Sequence, residues 1–284
     1  MLDKINTAKK RILEMRPEDV VNLDAYPIAD RDDPRRAALV ARLKQELDQN
    51  QYVSLPDFIR PEARLRAVAD AEGALPRAHH NCSERNCYLQ RKGDPSLSES
   101  HPINMFLSAS MRMLAYDRFN EDSPVKTLYH WAPVREFIAE IVGSETLYDN
   151  ADPSQPVNLV CYKTGDRSAW HFDSVNAFTM TLMLQASESG GDFEMVPNTR
   201  SDDDQNYDYV AAVLRGERPD DTVSVAREAG ALCVFRGCNS LHRVSPVEGD
   251  TMRIMGVFVY ETAPGVVGDP EVNATIYGRE EAVG

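Results

Sequence analysis

No apolar run in the 284-residue sequence is long enough to cross a bilayer. The start, MLDKINTAKKRILEMRPED, also lacks an apolar stretch followed by a small-residue cleavage site, so a cytoplasmic protein is expected. Positive charge is scarce: 31 Lys and Arg stand against 45 Asp and Glu, a formal net charge of -14. Nucleic acid and anionic membranes need clustered cations, so neither is an expected partner, and the acidity is read as solubilising. Cysteine is sparse and odd in number, five, which excludes a dense disulfide framework. No internal repeat, low-complexity tract or Pro- or Ser-rich linker interrupts the chain. What remains is an ordinary globular composition, 42% hydrophobic and 27% charged, in a chain long enough to bury a sizeable core.

The stretch HHNCSERNC offers His79, His80, Cys82 and Cys87 as zinc ligands. A structural zinc site needs a second ligand pair at a compatible spacing, and Cys161, Cys233 and Cys238 each lie in or beside apolar, strand-like stretches. These thiols are therefore read as ordinary core or surface groups.

Along the chain the texture changes near residue 150. Before it, DDPRRAALVARLKQELDQ predicts a helix with Asp33 as N-cap, Pro34 at the first position and Leu39, Leu43 and Leu47 on one face. YVSLPDFI predicts a strand. A second helix is expected from Pro61, with Leu65, Val68 and Ala69 inward and Gly73 as its stop, and APVREFIAEIVG predicts a third, ended by Gly143. RKGDPSLSESHP reads as loop. After residue 150, VNLVCY, FTMTLMLQ, GDFEMVP, GALCVFRG and RIMGVFVYE are short apolar runs between turns, the pattern of a barrel or sandwich. The expected fold class is α+β, with N-terminal helices packed on a double-stranded β-helix or jelly-roll, cupin-like core. One unit is expected: a helix-rich part over 1–150, a jelly roll over 151–265 interrupted at 198–229, and a tail over 266–284. The interruption is too long for a hairpin, and a short helix is expected near Tyr207 to Leu214.

AWHFDSVN carries the chemistry. In extended backbone, side chains two apart share a face, so His171 and Asp173 can converge on one ion while Phe172 turns away. A lone H-x-D triplet is common; FRGCNSLHRVSPVEGDTMRIMGVFVY adds His242 near the end of a later strand and Arg253 at the start of the next. Two histidines and a carboxylate on a rigid β scaffold make a facial triad that leaves three positions open on Fe(II), for a chelating co-substrate and dioxygen. A guanidinium fork such as Arg253 binds a buried carboxylate with two prongs. The spacing of WHFD, LMLQASESGGDFEMVP, GALCVFRG, LHRVSPVEGDTMR and FVYETAPG resembles that of the iron(II)/2-oxoglutarate-dependent dioxygenases. Within them it is most similar to the branch of radical halogenases of free amino acids and their hydroxylating relatives.

The resemblance implies His171, Asp173 and His242 as iron ligands and Arg253 as partner of the distal carboxylate of 2-oxoglutarate, with O2 as oxidant. Halogenases of that branch replace the carboxylate ligand by Gly or Ala to admit chloride, whereas this chain keeps Asp173. Hydroxylation of an unactivated C–H bond is therefore the expected reaction; halogenation, desaturation or cyclisation on the same scaffold, a different metal, and a non-catalytic small-molecule sensor are the alternatives. Tyr162 and Thr181, with Thr179 as its neighbour on the same strand, are candidate donors to the co-substrate carboxylate. Trp170 is read as core, Arg243 as facing away from the metal, Arg236 as a partner of the acidic insertion, and SESGG as a turn. A small-molecule substrate, such as a free amino acid or an amine derivative, would want a carboxylate for its ammonium, for which Asp149, Asp152 and SDDDQNYD are candidates. Tyr277 and Arg279 in the tail are candidates for meeting a substrate carboxylate.

Overall fold

The computed structural model describes residues 15–173, 178–225 and 228–279. Its helices are α1 (Pro17–Val20), α2 (Pro34–Asn50), α3 (Pro61–Ala74), α4 (Pro124–His130), α5 (Ala132–Val142), α6 (Tyr207–Leu214) and α7 (Pro270–Tyr277). Its strands are β1 (Tyr52–Leu55), β2 (His79–Arg85), β3 (Leu107–Leu114), β4 (Tyr148–Asp149), β5 (Val157–Tyr162), β6 (Ser168–His171), β7 (Thr179–Gln185) and β8 (Ser189–Gly190). They continue with β9 (Phe193–Val196), β10 (Val223–Val225), β11 (Leu232–Phe235), β12 (Leu241–Val244), β13 (Val247–Glu248), β14 (Arg253–Phe258) and β15 (Tyr260–Glu261). No helix among the described residues is long and apolar enough to cross a membrane.

Asp33 caps α2 through its carboxylate, which accepts from the Arg35 backbone N–H at 2.8 Å, and Leu43 and Leu47 bury the inner face with Leu39 at its margin. Gly143 ends α5 with φ of 77°, a left-handed conformation that costs glycine least. The second expected helix forms, but with a different face inward. Leu65 is 59% exposed and Ala69 is exposed, while Ala63, Ala67, Val68, Ala71 and Ala74 are buried. Spacings of three and four residues place those alanines on one stripe, and their small side chains seat α3 close against β7. Gly73 lies inside the helix, which continues into a short 3-10 turn at Leu75–Arg77.

Seven antiparallel strands form the larger sheet, in the order β1-β11-β7-β14-β5-β3-β2, and four form a second sheet, β10-β9-β12-β6. Alternation sorts the larger sheet by face. Leu159, Cys161, Met180, Leu182 and Ile254 join Leu47, Phe137 and Ile138 in the cluster under the helices. Val160, Tyr162, Cys233 and Met255 point the other way and meet Phe193, Met195 and Val244 of the second sheet. That interior between the sheets holds the polar groups described below. The sequence does not announce β2 and β3 as apolar runs: HHNCSER is polar, and LSASMRML alternates apolar with polar residues. The insertion contains the expected helix, Tyr207–Leu214, and also β10, which extends the second sheet beside β9; its residues 226 and 227 lie outside the described ones.

Candidate metal centre

The centre is assembled by β6, β12 and the segment after β6. His242 pairs with His171, but Val244 pairs with Ser168, so β6 spends three residues where β12 spends two. This bulge turns Ser168 and His171 to one face although three positions separate them. Trp170 and Phe172 are thereby sent outward into a satellite cluster with Cys87 and Leu241. The chain beyond β6 is pinned on both sides: Phe172 N–H donates to the Cys87 carbonyl at 2.8 Å and Asp173 N–H to the Gly237 carbonyl at 3.0 Å.

The two imidazoles lie with ring centroids 4.3 Å apart, and their Nε2 atoms stand 3.8 Å (His171) and 3.6 Å (His242) from Asp173 Oδ1. Each Nδ1 faces a backbone carbonyl, Ala169 O at 2.8 Å and Ser240 O at 2.9 Å. A carbonyl only accepts, so Nδ1 carries the proton and Nε2 presents its lone pair to the centre. Thr179 Oγ1 donates to Asp173 Oδ2, leaving Oδ1 to face the imidazoles. Burial, with the His242 charge behind it, lowers the His171 pKa to about 4, so its imidazole is neutral at neutral pH. Burial alone would raise the Asp173 carboxyl, but the facing histidines and the Thr179 hydroxyl outweigh it and hold the carboxyl below the usual range. Phe235 and Phe193 wall His242, with ring centroids at 5.1 and 5.7 Å. Among the described residues this is the one group of three metal-ligating side chains whose donor atoms lie within 4.8 Å of one another. The His79, His80, Cys82 and Cys87 stretch makes no such group: Cys87 is buried while Cys82 is exposed.

Arg253 opens β14 opposite Tyr162, is 1% exposed, and places its guanidinium carbon 5.2 Å from the Tyr162 ring centroid. A cavity of about 200 Å³ beside it is lined by Met183, Gly191, Phe193 and Val225. Thr181 faces the same interior from β7, buried, its hydroxyl without a hydrogen-bond partner among the described residues. It lies between Thr179, at the metal-ligand end of the strand, and Met183, which is paired with Met255 near Arg253.

Other candidates fall elsewhere. Arg243 does face away, paired with Glu194 and stacked 4.6 Å over Trp170. Arg236 pairs at 2.8 Å with Asp48 at the end of α2, not with the insertion, because the Arg236 N–H donates to the Gln51 carbonyl and fixes this turn beside that helix. Asp149 is occupied by His130 and Arg135, and Asp152 by Asn273 and the Ser154 and Gly268 N–H groups, so both carboxylates serve the fold. The acidic residues 202–204 are exposed. Tyr277 packs from α7 onto the interior cluster, while Arg279 pairs with Asp117. SESGG forms the short strand β8 and a turn in which Gly190 and Gly191 have positive φ.

A family model described as Halogenase D matches residues 35–267. A comparison with curated proteins finds no match. Among solved structures, the chain is similar to AviO1 from Streptomyces viridochromogenes Tue57, with TM-score 0.55 and 18% identity over 81% of this chain and 97% of that one. It is also similar to the non-heme alpha-ketoglutarate-dependent carbocyclase SnoK of nogalamycin biosynthesis, with TM-score 0.55 and 14% identity over 84% and 91% of the two chains. A third likeness is to a prolyl hydroxylase from Trichoplax adhaerens in complex with a peptide fragment, with TM-score 0.51 and 14% identity over 81% and 94%. At such identities these likenesses establish the jelly-roll fold.

Proposed function

This chain belongs to the Halogenase D family, and from that premise we propose that it is an Fe(II)- and 2-oxoglutarate-dependent oxygenase that hydroxylates an unactivated C–H bond of a small molecule. The observation that carries the reading is the convergence of His171, Asp173 and His242, two imidazole nitrogens and one carboxylate oxygen on a common centre. That donor set fits ferrous iron, and three protein ligands leave positions for a co-substrate; the carbocyclase among the structural neighbours is described as non-heme and alpha-ketoglutarate-dependent.

In this reading His171, His242 and Asp173 hold the metal. The carbonyls of Ala169 and Ser240 fix the imidazole tautomers, and Thr179 fixes the carboxylate. Arg253 receives the distal carboxylate of 2-oxoglutarate, with Tyr162 as the wall behind it and the Thr181 hydroxyl as a donor along the way. Bound together at the centre, Fe(II), 2-oxoglutarate and O2 supply the oxidising chemistry that breaks the C–H bond. Phe193, Phe235 and Met255 keep water from the interior, where charge-assisted contacts are strongest.

The family description favours halogenation as the second reading, and Asp173 argues against it by filling the place a halide would take. The test is succinate release by protein supplied with Fe(II), 2-oxoglutarate, ascorbate and air against a panel of free amino acids, in chloride buffer with mass analysis of the product. Substrate-dependent succinate with gain of one oxygen, lost in His171→Ala and Asp173→Ala, is expected. A chlorinated product overturns hydroxylation, and the absence of 2-oxoglutarate binding overturns the oxygenase reading.

A further inference from the structure

A row of aromatic rings runs behind the larger sheet, from its metal end to the surface. Phe258 closes β14 with Met180 as its partner on β7, and Met180 follows Thr179, whose hydroxyl holds Asp173. Phe258 and Met180 both point into the cluster under the helices, so the row begins one sheet thickness from that metal ligand. The Phe258 centroid lies 6.3 Å from that of Tyr129, near the end of α4. Tyr129 stacks on Tyr260 of β15 at 4.7 Å, the two planes 6° apart, and meets the His130 ring edge-on at 5.0 Å. His130 in turn lies 5.9 Å from Tyr116, at the start of the 3-10 turn Tyr116–Arg118. Tyr129 and Tyr260 are buried, Tyr116 is half-buried and His130 is exposed, so the rings connect core to solvent.

The three tyrosines differ in what their hydroxyls meet. Tyr129 donates to the Val259 carbonyl at 2.9 Å and Tyr260 to the Tyr129 carbonyl at 2.8 Å, and a backbone carbonyl is too weak a base to take a phenol proton. The Tyr116 hydroxyl lies 2.8 Å from His130 Nε2, and His130 Nδ1 lies 3.1 Å from Asp149 Oδ2. A carboxylate only accepts, so Nδ1 carries the imidazole proton and Nε2 accepts from Tyr116. Arg135 holds Asp149 in place. Tyr116 thus faces a base that a third group orients. Burial, followed by the Glu121 and Asp149 charges, raises the Tyr116 pKa, so its phenol stays protonated at neutral pH. The Lys126 ammonium, paired with Glu121, stands 4.1 Å over the Tyr116 ring and opposes positive charge on it. An electron therefore leaves this ring only together with the phenol proton.

We propose that Tyr116, with His130 and Asp149, is a redox-active site at which oxidising equivalents that escape the metal centre come to rest. An electron passes from Tyr116 by way of Tyr129 to a one-electron oxidant, the phenol O–H bond breaks, and its proton moves to His130 Nε2. The products are a neutral Tyr116 phenoxyl radical and an imidazolium facing Asp149. A reductant in solvent such as ascorbate then supplies an electron, His130 returns the proton, and the phenol is restored. The use of the site rests on the oxygenase reading, in which the oxidant is the metal centre exposed to O2 without a substrate to consume its oxidising power. The relay spares the residues around His171 and His242.

Two experiments test it. In the first, metal-free protein is oxidised by a laser flash with ruthenium tris-bipyridine and a cobalt(III) quencher, then frozen for electron paramagnetic resonance. The wild-type tyrosyl signal is expected to outlive those of Tyr116→Phe and His130→Gln by about 100-fold, the scale of a positioned proton acceptor, and to be erased by ascorbate. Circular dichroism checks that both variants are folded; equal lifetimes in the three proteins overturn the redox site. In the second, protein loaded with Fe(II) and 2-oxoglutarate meets O2 without substrate. The same signal is expected in the wild-type protein and not in Tyr116→Phe, whose peptides carrying His171 and His242 are expected to show more oxidation by mass spectrometry. No difference between those two proteins overturns the supply from the metal centre. Failure of the oxygenase reading registers separately, as absence of 2-oxoglutarate binding by the wild-type protein, because the flash experiment needs no metal.

Discussion

Gly237 stands where a methyl group would collide with the Asp173 carboxylate, while its carbonyl accepts the Asp173 N–H. Gly237→Ala must therefore displace that carboxylate, with a lesser push on the Phe235 ring at 3.1 Å. Retained far-UV circular dichroism with lost Fe(II) binding in equilibrium dialysis is expected, and normal iron content would show that Asp173 is not a ligand. Thr179→Val removes the donor to Asp173 Oδ2 at nearly constant volume. Metal affinity, measured by competition with a chromogenic chelator, is expected to fall about 10–100-fold, the usual effect of losing an outer partner of a ligand. The grouping of His171, Asp173 and His242 and the burial of Arg253 agree with the expectation from the sequence, where few residue types are able to bind iron or a dicarboxylate. Gly237 could not be picked out there, since a glycine in a turn is common without any such role, and Thr179, a candidate donor to the co-substrate in the sequence, donates instead to Asp173.

At the scale of elements, the reading succeeded where periodicity was strong. Asp33, Pro34 and the leucines of α2 announce that helix, and the apolar runs after residue 150 announce β5, β7, β11 and β14. It failed at α3, where alanines bury and Leu65 does not, because tertiary contact with β7 rewards small side chains. At β2 and β3 the polar HHNCSER is held by its ladder to β3, and β3 buries Met113 and Leu114 beside β5. The strands place the thiols in different environments. Burial pushes Cys161 on β5 and Cys87 beyond β2 up to about 12, whereas Cys82 on β2 is exposed, its sulfur 3.2 Å from His80 Nε2. A raised thiol pKa keeps the protonated form dominant well above neutral pH, so a shift from about pH 7 to about pH 9 does not activate those two groups. Iodoacetamide labelling read by peptide mass spectrometry is expected to modify Cys82 throughout that range and Cys87 and Cys161 only after unfolding; early labelling of Cys161 would contradict the packing of β5.

For the molecule as a whole, a ligand that binds the folded state and not the unfolded chain stabilises it by mass action. A metal at one hundred times its dissociation constant adds about 2.7 kcal/mol, and 2-oxoglutarate adds a further increment if it joins the same centre. The melting temperature is expected to rise with Mn(II), to rise again with 2-oxoglutarate, and to return to baseline with EDTA. His171→Ala and His242→Ala are expected to lose both increments; an unchanged melting temperature in the wild-type protein would remove the metal centre. The sequence by itself determined the helix starts, the strand-rich second half, the residue types of the triad and the presence of a buried arginine, because these depend on local propensity and on the rarity of the chemistry. The tertiary structure decided which side chains meet. The β6 bulge brings His171 round to His242, the turn at Gly237 admits Asp173, and α4 sets His130 between Tyr116 and Asp149. Each depends on contacts between residues far apart in the chain, whose geometry no local pattern encodes.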